Sequence, residues 1–105
     1  MIKITVKRNE NGICNSVHVS GHAGYDEYGR DIVCAAVSIL VINTINSIEQ
    51  FTEDHFVVDS DEESGRIDLE MVSEISKESS LLLESLILGL HGIEESYGNQ
   101  YIKIC

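Results

Sequence analysis

The chain has 105 residues, 43% hydrophobic and 24% charged, which suits one compact domain over residues 1–105. Its 18 acidic residues against 7 Lys and Arg give a net charge of −11, which argues against nucleic acid and would suit a basic partner. Three cysteines, an odd count without paired spacing, read as reduced thiols rather than a disulfide framework.

The N-terminus alternates: Ile2, Ile4 and Val6 against Lys3, Thr5 and Lys7. That is a strand with one buried face, not the apolar block of a signal peptide. No uninterrupted apolar run approaches the roughly 20 residues of a membrane span. We therefore expect a cytoplasmic protein with no membrane partner. Asn9-Glu10-Asn11-Gly12 reads as a turn, so a hairpin follows. Ile13, Val17 and Val19 mark the inward face of the second strand, broken by Asn15. Cys14, Ser16, His18 and Ser20 are expected to point away, and Gly21 ends the strand.

Residues 21 to 31 form a glycine-punctuated loop. From Ile32 to about Phe51 the apolar positions Val33, Val37, Leu40, Val41, Ile45 and Ile48 repeat near 3.6 residues, which predicts the first helix. His55 to Asp59 reads as a short strand. Ser60 to Gly65 is a polar turn, and Arg66 to Val72 is a strand with Ile67, Leu69 and Met71 inward. Ser73 or Ser76 caps a second helix running to about Ser96, with Leu82, Leu83, Leu86, Ile87, Leu90 and Ile93 as its apolar stripe. Gly89 and Gly92 weaken that helix locally, and Gly98 stops it. Residues 101 to 105 alternate again. The expected fold is α+β: a mostly antiparallel five-stranded sheet in the order β-β-α-β-β-α-β, with two helices packed on one face.

The chemistry gathers around the loop. Asp31, directly before the apolar helical pattern, is a good N-cap. Cys34 then lies in the first helical turn, where free amides and the helix dipole favour an anion and would lower a thiol pKa. The same amides would suit an oxyanion. A buried structural cysteine is the competing reading. His22, on the other bank of the loop, is placed to act as base to a Cys34 nucleophile, against the alternative of an exposed loop histidine. Ser38 sits one turn beyond Cys34 on the same helix face, with a bond back to the Cys34 carbonyl as its plainer role. Gly21, Gly24 and Gly29 give the loop the freedom of a lid, or simply of a surface loop. Tyr25 and Tyr28 are the candidate substrate contacts within it.

Gly21-His22-Ala23, Gly29 and Asp31-Ile32-Val33-Cys34-Ala35-Ala36-Val37-Ser38 resemble the signature of the ribosomal-processing cysteine proteases, the Prp family of bacteria. Length and element order extend the resemblance over the whole chain. It implies a homodimeric protease with a Cys34–His22 dyad and no cofactor. It also implies a substrate, the precursor of large-subunit ribosomal protein L twenty-seven, whose N-terminal extension is cut after a pair of phenylalanines. Asp31 and Ser38 match the pattern as supporting residues, and for Asp31 capping explains the position better than orienting His22. The alternative is a non-catalytic module that binds a ribosomal protein, with Cys34 structural. No metal is expected: Cys14 and His18 are about 13 Å apart along a strand, too far to share zinc. The acidic run Asp59-Ser60-Asp61-Glu62-Glu63 lacks calcium-loop spacing and reads as a solvated turn.

Overall fold

A computed structural model of the chain describes residues 1–27 and 30–105. The elements follow the expected order: β1 (Ile2–Arg8), β2 (Cys14–Ser20), α1 (Ile32–Phe51), β3 (Phe56–Asp61), β4 (Arg66–Met71), α2 (Lys77–Tyr97) and β5 (Ile102–Ile104). They form one five-stranded sheet in the order β3-β4-β2-β1-β5. Every pairing is antiparallel except β1 with β5, which α2 makes parallel by carrying the chain from β4 across to the far edge.

The core lies between the sheet and the helices. Ile2, Ile4, Val17, Val19, Leu69 and Ile102 face Val33, Val37, Val41 and Ile48 of α1 and Leu83, Leu86 and Leu90 of α2. Each such side chain contributes roughly 1.5–3 kcal/mol when fully buried. Gly89 has a packing role that its helix propensity conceals. A Cβ there would stand 3.0 Å from Leu40 Cδ1, so its absence lets α2 approach α1 closely. Ser76, not Ser73, caps α2 by accepting from Ser79 N, and Gly98 ends the helix at φ 100°.

Two expectations need correction. Cys14 does not face outward. Arg8 pairs with Cys14 while Lys7 pairs with Ser16, so Asn15 is an extra residue in β2. The bulge shifts the side-chain parity, and Cys14 turns fully into the core. Second, α1 is 20 residues long and contains an 18-residue window of mean hydropathy 1.8, enough by length and composition to cross a membrane. Scattered Ser, Asn and Thr residues break its apolar run in the sequence without lowering the average below that level. Here its inner face packs in the core, while Ile32 and Ile39 on its outer face are exposed.

Candidate active site

β2 ends at Ser20 with three neighbours close by: the first residues of β1, the start of α1 and the β3–β4 turn. Gly21 makes the exit possible. Its φ is +89°, and a Cβ there would lie 2.5 Å from the Met1 carbonyl oxygen. The chain then passes through His22 and the buried Ala23, and it returns to α1 at Asp31.

Asp31 is the knot of this return. It is only 7% exposed. Its Oδ1 accepts from the amides of Val33 and Cys34, both at 3.0 Å, and its Oδ2 accepts from Tyr25 N at 2.9 Å and Asp26 N at 3.3 Å. Burial works to raise its pKa, but the four amide donors outweigh it and hold the carboxyl below its ordinary value. The amides of Val33, Cys34, Tyr25 and Asp26 hold both of its oxygens. The carboxylate thus caps α1 and clamps the loop onto it.

This arrangement reverses the expected effect of the helix start on Cys34. The amides that would stabilise a thiolate or an oxyanion are already taken by Asp31, which also adds a negative charge beside the sulfur. Burial, with that charge, pushes the Cys34 thiol above its ordinary pKa. The opposing influence comes from the loop: Ala23 N donates to Cys34 Sγ at 3.2 Å.

Cys34 is half-buried and lines two adjoining cavities of about 390 and 510 Å³. His22, Ser38 and Glu62 line both cavities with it, so the thiol and the imidazole share a wall. The His22 ring bonds through Nε2 to the Glu63 carbonyl oxygen at 2.8 Å. Ser38 borders the thiol as its spacing required, but among the described residues its hydroxyl makes no bond back to the Cys34 carbonyl. Gly24, at φ 72°, lines the larger cavity. Tyr25 is placed elsewhere: its ring meets Tyr97 and Tyr101 edge-on, with centroids 5.6 and 5.2 Å away. Tyr28 and Gly29 lie outside the described residues.

Two contributors were not legible in the sequence. One is the Ala23 amide, since a backbone donor carries no residue signature. The other is the acidic turn, which is more than a solvated loop: Ser60, Asp61 and Glu62 form one side of the smaller cavity. Its only sequence signal was Gly65, which closes the turn at φ 66°. Among the described residues, no three His, Cys, Asp or Glu side chains gather into a cation site.

Residues 1–103 match the family described as cysteine protease Prp. The ribosomal processing cysteine protease Prp of Staphylococcus aureus is 32% identical over 104 residues, which cover 99% of this chain and 97% of that protein. Its namesake in Bacillus subtilis is 30% identical over 101 residues, covering 92% and 90%. The crystal structure of the S. aureus protease with a covalently linked product peptide superposes with a TM-score of 0.93 at 32% identity, covering 99% of this chain and 97% of that one. With sequence and shape matched from end to end, and a thiol and an imidazole on one cavity wall, the chain belongs to the Prp family of cysteine proteases.

Proposed function

We propose that this protein removes the N-terminal extension of the precursor of large-subunit ribosomal protein L twenty-seven, cutting after a pair of phenylalanines, with Cys34 as nucleophile and His22 as base. The observation that carries this reading is the shared cavity wall of Cys34 and His22, with the Ala23 amide donating to the sulfur from the loop. The family implies the substrate. The acidic side chains of Asp61 and Glu62 on the cavity wall, and the net charge of −11, suit a basic ribosomal-protein segment.

Burial and the Asp31 charge push the Cys34 thiol above its ordinary pKa and so favour the protonated sulfur, and attack draws on a base. His22 takes the proton as sulfur attacks the scissile carbonyl. The imidazolium then protonates the departing amine, and a thioester remains on Cys34. Water, deprotonated by His22, hydrolyses the thioester and frees the thiol. The Ala23 N–H, already at the sulfur, is a donor for the charge that develops beside it.

The protein acts as a cytoplasmic homodimer in this reading. Ile39, Leu81 and Leu88, at 67%, 71% and 75% exposure on the helices, support an apolar contact between copies. Sedimentation at micromolar concentration checks the dimer.

Incubation with the precursor, followed by mass spectrometry, tests the activity. Wild type yields one defined N-terminal truncation. Cys34→Ala yields none, and His22→Ala slows cleavage by roughly 10²- to 10⁴-fold with peptide affinity nearly retained. Cleavage by Cys34→Ala at the normal rate would end this proposal.

A further inference from the structure

The β3–β4 turn touches Gly21 and His22 at three points. Ser64 O accepts from Gly21 N at 3.0 Å, beyond the last β2–β4 pair of Val19 with Ile67. Glu63 O meets His22 Nε2 at 2.8 Å. Gly65 lies against the Gly21–His22 peptide so closely that a Cβ there would stand 2.3 Å from Gly21 O and 3.1 Å from His22 Cε1. The turn is also fixed from within: Gly65 N donates to Glu62 O at 3.1 Å, and Ser64 Oγ donates to Asp61 Oδ2 at 2.8 Å.

We propose that the backbone carbonyl of Glu63 is the group that orients His22, and that Gly65 is the positioning residue that brings it into place. A carbonyl oxygen can only accept, so in the neutral ring Nε2 carries the proton and Nδ1 carries the lone pair. Nδ1 is then the atom that takes the Cys34 thiol proton, leaving a thiolate and an imidazolium with no other group transferred. As the imidazolium forms, its Nε2–H to Glu63 O bond becomes charge-assisted and strengthens. The Glu63 carbonyl holds the ring nitrogen in the way a carboxylate does in a Ser-His-Asp triad, while the Asp31 carboxylate accepts from four amides. No side-chain pattern marks such a group. Its trace is the glycine at 65, where both the left-handed φ and the approach to Gly21 exclude a side chain.

The inference rests on the reading of His22 as base, but it is tested without turnover. In protein labelled with ¹⁵N at histidine, long-range ¹H–¹⁵N NMR of the neutral His22 ring should show Nε2 protonated and Nδ1 unprotonated, with no tautomer averaging. Gly65→Ala should bring averaging and lower kcat by about 10- to 100-fold with KM within a few-fold. Gly12→Ala is the control. Gly12 has the same left-handed strain at φ 79° but nothing within 4 Å, so that variant should lose stability without moving the tautomer. A proton on Nδ1 in the wild type would overturn the proposal, and so would equal tautomer shifts in the two variants. If Gly65→Ala does not fold, the wild-type tautomer decides. Failure of the protease reading would appear separately, as cleavage by Cys34→Ala.

Discussion

The amide of Ala23 donates to the sulfur of Cys34 at 3.2 Å, across a loop whose return is clamped by Asp31. The loop is therefore part of the nucleophile's environment, and the clamp that holds it also sets the charge beside the thiol.

Asp31 tests that coupling. An Asn side chain keeps one acceptor, but whichever way its amide is turned, one pair of backbone amides faces an NH₂. Asp31→Asn should cost about 1–2 kcal/mol and Asp31→Ala about 2–4 kcal/mol, given one capping pair and one loop pair of charged hydrogen bonds. Loss of the negative charge in Asn should also move the midpoint of Cys34 alkylation to lower pH. Urea unfolding and an iodoacetamide pH series on the same variants measure both effects. Wild-type stability in Asn would show that the Tyr25 and Asp26 bonds contribute nothing.

The three thiols should separate by environment. Cys105 is exposed, Cys34 is half-buried with a raised pKa, and Cys14 is buried with its pKa raised mainly by burial. Peptide mapping during alkylation at neutral pH should find Cys105 modified first, Cys34 next and Cys14 only on unfolding. Cys14→Ala should cost about 1–2 kcal/mol through the small cavity it leaves, with cleavage unchanged. Modification of Cys14 in the folded protein at the rate of Cys105 would contradict the bulge.

Acid should weaken the open face of the sheet. Asp68 accepts from His18 Nδ1 at 2.9 Å and from Arg66 Nη1 at 2.6 Å. The His18 bond is the largest influence, and with Arg66 it holds the carboxyl below its ordinary value of 3.8 against the penalty of burial. The unfolded chain protonates first as pH falls. The contribution is therefore full above 3.8 and is lost as pH drops through the lower folded value. Asp68→Asn should flatten the fall of unfolding free energy below about pH 4. Denaturant titrations from pH 7 to pH 2.5 check this, and parallel curves for wild type and variant would refute it.

The two helical glycines should respond oppositely. Gly92 has open space around its missing Cβ, whereas Gly89 has Leu40 at 3.0 Å. Gly92→Ala should stabilise by about 0.5–1 kcal/mol through helix propensity. Gly89→Ala should gain nothing or lose, because Leu40 must move. Thermal melts of the two single variants decide, and equal gains would mean that the α1–α2 contact is loosely packed.

Periodicity alone was enough to determine the number, kind and order of the elements, because alternation and 3.6-residue repeats state directly which side chains seek a core. The loop of residues 21 to 31, with Cys34 and His22 on its banks and Asp31 as cap, was equally legible, since caps, glycines and nucleophiles are residue-type signals at short range. The face of Cys14 was not, because one bulged residue at Asn15 reverses parity without changing the apolar pattern around it. Nor was the ionisation of Cys34. A helix start lowers a thiol pKa only while its amides are free, and only the folded chain shows Asp31 occupying them. Ala23 N and Glu63 O were invisible for a simpler reason: every residue but proline has both groups. Their roles come from the strand pairing and two close backbone approaches that bring the β3–β4 turn and the loop around one cavity.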